Sequence, residues 1–261
     1  MPSPTRAATG GLLPRLALLL SLAVPAAATL AATGPLDGAR QVVVVTSEGW
    51  DAGSGRLQAF ERGDDGWQPH GDAFEVALGR SGSAWGVGLH PAPAGDGPRK
   101  REGDGRSPAG VFAIGEAFGY AGMIDSALRY RPMLRDSYCI DVPESPLYNR
   151  IVEADEVGAE AVEGSTEPMR LDLHNNGDVR YREGFVIAHN PGNQPGLGSC
   201  IFAHLWRAPG EATAGCTAME PQRMSALLAW LQPQARFVLL PAAEYRRLQA
   251  QWQLPALEAA P

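Results

Sequence analysis

Gly198-Ser199-Cys200-Ile201-Phe202-Ala203-His204, followed at Thr213-Ala214-Gly215-Cys216-Thr217-Ala218-Met219, is the stretch on which this chain turns. Ile201 to Trp206 is an apolar run that reads as a buried strand, and His204 lies inside it. A polar ring among strand residues needs a partner or a purpose. Thr213-Ala214-Gly215 is small and polar, and Gly215 lets the backbone turn tightly just before Cys216. An unperturbed Cys has a pKa of about 8.5, so a thiol needs a base to react as a thiolate near neutral pH. A His from a neighbouring strand is the usual supplier. The bland alternatives are a satisfied core histidine and a buried cysteine acting as a small hydrophobe.

Working outward, the other histidines carry less. His70, His90 and His174 lie in loop or turn contexts and are expected at the surface. His189 ends the run Phe185-Val186-Ile187-Ala188; it either faces the cleft or is a loop histidine satisfied by hydrogen bonds. Backbone N–H groups around Gly215, Cys216 and Thr217 are candidates for an oxyanion site. The three cysteines, Cys139, Cys200 and Cys216, make an odd count. In an oxidising compartment that suggests one disulfide and one free thiol. Cys139 and Cys200 are then a possible pair, or both are buried free thiols. No Cys-x-x-Cys spacing is present, and neither a metal nor a cofactor is expected.

The N-terminus reads as an export signal over residues 1–32. Arg6 and Arg15 precede the apolar core Leu16 to Val24, and Pro25-Ala26-Ala27-Ala28 supplies small residues. The core is shorter than the roughly 20 residues that span a bilayer, although an uncleaved anchor is the alternative. An exported protein of the periplasm or envelope is expected. The 44% hydrophobic content supports a packed core. A net charge of −7, with no basic run beyond Arg99-Lys100-Arg101, argues against nucleic acid.

The remaining chain, rich in Gly (31) and Pro (22), predicts a strand-heavy domain over residues 40–245, with a helix end and a loose tail over 246–261. Strands are expected at Val42–Thr46, Leu57–Arg62 with a hairpin return at Trp67, Phe74–Leu78, Tyr138–Val142, Ile201–Trp206 and Arg236–Leu240. Val179–Ala188 reads as a strand pair, and Ser107–Phe112 as a turn before a short strand. Residues 95–106 read as a polar loop, and Asp155–Glu163 as a short helix or loop. Helices are expected at Glu220–Leu231, with Pro221 in its first turn, and at Ala242–Trp252.

Taken together, the strand ending in His204 and the Thr213-Ala214-Gly215-Cys216 turn resemble the active-site motif of the YkuD-type L,D-transpeptidases, in the branch with the shorter His-to-Cys loop. Ser107-Pro108-Ala109-Gly110-Val111-Phe112 resembles that family's Pro-x-Gly turn, and Cys139-Ile140-Asp141-Val142-Pro143 with Tyr148-Asn149 resembles a further segment. The resemblance covers about Gln41 to Leu240 in pieces. It implies a mainly β, sandwich- or barrel-like fold with a few helices, and a monomer. It makes Cys216 the nucleophile, His204 the base and acid, and the Leu205 carbonyl the group that orients the imidazole. Ser199, Thr213 and His189 become candidate substrate contacts. Ala214 stands where His is common, and Cys200 where a small residue is usual, which makes a Cys139–Cys200 bond worth testing. The implied partner is a peptidoglycan stem peptide and the implied reaction is acyl transfer in cell-wall cross-linking or remodelling. A hydrolase with the same Cys/His pair, or a non-catalytic envelope domain, are the rivals.

Overall fold

Four consecutive valines decide where the centre of the fold lies. Val42 to Val45 are all buried within β1 (Gln41–Ser47). A strand buried on both faces must sit inside a sheet rather than at its edge. β2 (Ser54–Gly63) pairs with it antiparallel and turns at Asp64-Asp65 into β3 (Gly66–Ala77), as the hairpin signal predicts. The separate strand expected at Phe74–Leu78 is the far end of β3; a register shift opposite Leu57–Ala59 breaks the alternation and conceals the continuity.

A computed structural model describes residues 1–5, 34–92 and 96–257. Most of the export signal read over residues 1–32 lies outside the described residues. Met1–Thr5 hold no helix or strand. Among the described residues no helix is long and apolar enough to cross a membrane.

The short β4 (Ser83–Trp85) runs parallel to the start of β5 (Ser107–Gly119). The turn expected at Ser107–Phe112 is thus the first half of a 13-residue strand. Gly110 explains the misreading. It adopts a positive φ of 139°, and a Cβ there would come within 2.0 Å of the His90 ring. His90 itself is buried, not superficial. Its Nδ1 accepts the Val111 N–H at 3.0 Å, and its ring packs among Trp85, Phe112 and Trp252.

β6 (Tyr130–Pro132) flanks the end of β5. β7 (Ser137–Cys139), β8 (Ile151–Glu153) and β9 (Glu167–Pro168) form a separate three-stranded sheet. Between β8 and β9 the acidic segment folds as α1 (Ala154–Val157) and a 3₁₀ turn at Ala159–Val162. After α2 (Leu171–His174), the strand pair expected at Val179–Ala188 is one strand, β10 (Glu183–Ile187), with residues 179–182 turning into it. β11 (Phe202–Leu205), β12 (Thr217–Met219), α3 (Pro221–Trp230), β13 (Arg236–Pro241) and α4 (Ala242–Trp252) complete the order.

The sheet path β10-β11-β12-β3-β2-β1-β13-β5 returns to β10, so eight strands close on themselves as a barrel. Closure removes exposed sheet edges. The fold is therefore mainly β, as expected. α3 buries Met224, Leu227 and Leu228 against the β10–β11 side, and α4 buries Tyr245, Leu248 and Trp252 against β13 and β1. The tail after α4 is not loose where it is described. Leu254 is buried, and the Tyr245 hydroxyl donates to the Pro255 carbonyl at 2.8 Å.

Cys139 at the end of β7 is disulfide-bonded to Cys200, just before β11, with Cα atoms 5.9 Å apart; Cys216 remains a free, buried thiol. The bond ties the three-stranded sheet to the barrel across a sequence separation of 61. The chain-entropy argument puts such a loop at roughly 4 kcal/mol. Denatured, non-reduced protein should titrate one thiol, and reductant should lower the unfolding midpoint. Three thiols, or a midpoint indifferent to reductant, would contradict the pairing.

Candidate active site

The barrel register brings Cys216 and His204 to one cavity. β11 and β12 run parallel, with Ala203 opposite Thr217 and His204 opposite Ala218. Side chains two apart on a strand share a face. Cys216, two before Ala218, therefore lies on the His204 face, one step along. Both line a cavity of about 320 Å³ with Thr213, Ala214, Arg180, Tyr181 and Glu167. Cys216 is 8% exposed and His204 4%.

The segments singled out in the sequence converge on this turn. Thr213 Oγ1 donates to the Cys216 carbonyl at 2.7 Å and accepts the Gly215 N–H at 3.1 Å. Ser107 Oγ, at the start of β5, donates to the same carbonyl at 3.0 Å while accepting the Gly79 N–H. The thiol Sγ accepts the Phe202 N–H at 3.3 Å and lies 3.6 Å from the Cys200 carbonyl. Cys200 holds that carbonyl in place with φ 54°, its N–H donated to Asn149 Oδ1 at 2.9 Å, and its side chain fixed by the disulfide. The turn that carries Cys216 is thus clamped from three directions.

His204 Nδ1 lies 2.7 Å from the Leu205 carbonyl. A carbonyl only accepts, so Nδ1 carries the proton and Nε2 offers a lone pair. The Tyr181 ring meets the imidazole in a T-shaped contact, with centroids 5.2 Å apart. Tyr181 OH donates to Glu167 Oε1.

Burial favours the neutral form of both members of the pair. Burial pushes the Cys216 thiol up to about 12, and Glu167 pushes it the same way, against the Phe202 N–H. Burial pulls the His204 imidazole down to about 4, with the Leu205 carbonyl opposing. Desolvation disfavours both charged forms.

Of the remaining sequence candidates, Leu205 and Thr213 act as just described. The Gly215 N–H is engaged by Thr213 Oγ1, which removes it as an oxyanion donor in this structure. Thr217 sits in β12, paired with Ala203. Ser199 does not reach the thiol's cavity; its hydroxyl donates to Glu102 Oε2 at 2.8 Å. His189 is also elsewhere. Nδ1 accepts the Val87 N–H at 3.2 Å and Nε2 lies 2.8 Å from the Leu197 carbonyl, so it is the hydrogen-bonded loop histidine. It lines a second cavity of about 400 Å³, with Asn149, Cys200 and Phe202. Glu167, Arg180 and Tyr181 were not anticipated. They come from a two-residue strand and an irregular turn, which carry no periodic signal.

The buried histidines set a pH dependence of stability. Burial lowers His204 and His189 to about 4, and lowers His90 too. The unfolded chain then binds more protons between about 6.5 and 4, so stability is full above 6.5 and lost as pH falls through that window. Glu167, raised by burial to about 7, works the other way, since its neutral form stabilises the folded state below about 4.5. Three imidazoles outweigh one carboxyl. Thermal unfolding should move to lower temperature between pH 6.5 and 4.5, less steeply in His189→Asn. A flat profile would contradict the neutral burial of these rings.

Among the described residues no group of His, Cys, Asp or Glu could hold a metal ion. Comparison with protein-family models, curated proteins and solved structures finds no match.

Proposed function

We propose that this protein is a cysteine acyltransferase acting on peptidoglycan stem peptides, an L,D-transpeptidase. The observation that carries the reading is the convergence at Cys216. A thiol held between Phe202 N–H and Cys200 C=O shares a cavity with an imidazole whose Nε2 lone pair is left to accept a proton by the Nδ1–Leu205 bond. The combined likeness of the His204…Cys216 motif and the Ser107–Phe112 segment to that family supplies the substrate class.

The chemistry follows from those atoms. Nε2 of His204 takes the thiol proton as Sγ bonds to the carbonyl carbon of the stem's third residue. The tetrahedral oxyanion collapses. The bond to the terminal D-Ala nitrogen breaks, and the imidazolium returns its proton to that amine. An acceptor amine then attacks the thioester. His204 receives the amine's proton and hands it to the departing sulfur, regenerating the thiol. Exposure of this chemistry to peptidoglycan requires export, which the residue 1–32 leader would provide.

Incubation with a tetrapeptide muropeptide, followed by mass analysis, tests the assignment. Cross-linked dimer plus free D-Ala is expected. Tripeptide without cross-links would assign the hydrolase, and unchanged tetrapeptide the non-catalytic domain.

A further inference from the structure

Cys200 holds a backbone conformation that favours glycine, and it does so against the free thiol. Its φ is 54°. A residue with a Cβ persists in that left-handed region only where its surroundings impose it. Two restraints impose it here. The disulfide pins the side chain to Cys139 at the end of β7, and the Cys200 N–H donates to Asn149 Oδ1 at 2.9 Å. Asn149 is itself anchored, because its Nδ2 donates to the His189 and Asn190 carbonyls at 3.2 and 3.1 Å. What these restraints place is the Cys200 carbonyl, 3.6 Å from Cys216 Sγ, and two residues on the Phe202 N–H, which donates to the same sulfur at 3.3 Å. Both described hydrogen bonds of Sγ thus come from the short segment that Cys200 begins. That segment also borders the second cavity, of about 400 Å³, which is lined by Cys139, Cys200, Ile201 and Phe202 but not by Cys216. A space of that size admits a small ligand beside the disulfide.

We propose that Cys200 is a positioning residue for Cys216, and that its bond to Cys139 is a redox switch on the thiol. The oxidised protein holds Sγ in place for acyl transfer and the reduced protein releases it. This rests on the reading of Cys216 as the nucleophile. A dithiol entering the second cavity opens the bond by exchange. One of its sulfurs bonds to a cysteine sulfur and expels the other cysteine; its second sulfur then closes the reagent's own disulfide. Two electrons pass to the protein, and Cys139 and Cys200 both end as thiols. Cys200 is then free to leave the left-handed region, and its carbonyl and the Phe202 N–H leave Sγ with it. The released thiol is no longer aimed at a substrate carbonyl, and it is less buried. Burial is the largest cause holding it protonated, so it also becomes easier to ionise. The switch therefore has two opposed signatures: slower acyl transfer, and faster reaction of Cys216 with a small alkylating reagent.

The test compares three full-length proteins, wild type, Cys139→Ser/Cys200→Ala and Cys139→Ser/Cys200→Gly, at a temperature where all are folded by circular dichroism. Cys216 is the single thiol in each. Both variants lack the disulfide, but alanine resists the left-handed conformation and glycine adopts it freely. Iodoacetamide labelling of Cys216 at one alkaline pH and D-Ala release from a tetrapeptide stem are measured. With Cys200→Ala, labelling should be at least about fivefold faster and release at least about tenfold slower, as misplacement of a reacting atom demands. With Cys200→Gly, both rates should lie nearer to wild type. Wild type opened with a dithiol, its labelling mapped to the Cys216 peptide, should behave as Cys200→Ala does until it is reoxidised, and Cys139→Ser/Cys200→Gly should ignore the dithiol. If Cys139→Ser/Cys200→Ala fails to fold, this dithiol arm makes the same comparison. Alanine and glycine variants that behave alike overturn the positioning role, whether both are impaired, as loss of a plain staple would give, or both match wild type. Wild type indifferent to the dithiol with its bond open overturns the switch. Labelling needs no turnover, so the two readings fail separately. The labelling pattern without D-Ala release from any protein would keep the positioning role and overturn the enzyme; release without the pattern would do the reverse.

Discussion

Cys216→Ala should abolish release of D-Ala while leaving the protein folded. Without Sγ no atom in the cavity can form the acyl bond, so the expected loss is complete rather than graded. The structural effect is small. The Cys216 carbonyl still accepts from Thr213 and Ser107, and those bonds do not involve the side chain. The Phe202 N–H loses its sulfur acceptor, which costs about 1–3 kcal/mol for a buried donor left unpaired. Thermal unfolding and D-Ala release measured on one preparation separate the two effects. Wild-type release from Cys216→Ala would remove the nucleophile assignment.

His204→Gln should lower the rate of thioester formation by about 10²–10⁴, the usual contribution of a positioned general base. The resting pair makes this sharper than a simple ion-pair picture would. With the thiol up at about 12, almost none of it is ionised at neutral pH without help, so removing the acceptor removes the route. The same balance predicts that wild-type Cys216 is alkylated slowly near pH 7 and faster as the solution becomes alkaline. A His204→Gln variant with unchanged turnover would make the imidazole a core ring packed on Tyr181 and nothing more.

Much of the barrel is legible because its strands announce themselves locally. Four valines in a row, the Gly63–Gly66 hairpin and Pro221 at the first turn of α3 each encode their structure within a few residues. β5 escapes that reading because Pro108 and Gly110 look like turn residues. What tolerates them is tertiary, since Gly110 makes room for a buried His90 that local sequence places on the surface. β10 reads as two strands for a related reason. Gly184 interrupts its pattern, yet a Cβ there would lie 2.5 Å from the Ala203 carbonyl, so close strand approach demands the glycine.

The site divides in the same way. Cys216, His204 and Leu205 lie in one motif, and their spacing alone brings them forward as candidates. Asn149 and Ser107 lie in distant segments whose likeness to family motifs brings them into view, though not their contacts, whereas the Cys139–Cys200 pairing is one of the two readings that the cysteine count leaves open. Glu167, Arg180 and Tyr181 have no such signal. Only tertiary packing, which brings β9 and the 179–182 turn to the thiol's cavity, makes them its neighbours. The state of that thiol was equally hidden, because desolvation depends on what surrounds the pair and not on the spacing between its members.

The most direct test of the account is the intact mass of the protein quenched in acid within the first turnovers on a tetrapeptide stem. A mass increase equal to the stem minus D-Ala, mapped to the peptide containing Cys216 and absent from Cys216→Ala, is the expected result. Unmodified protein alongside released D-Ala, or an adduct mapped to any other residue, would contradict it.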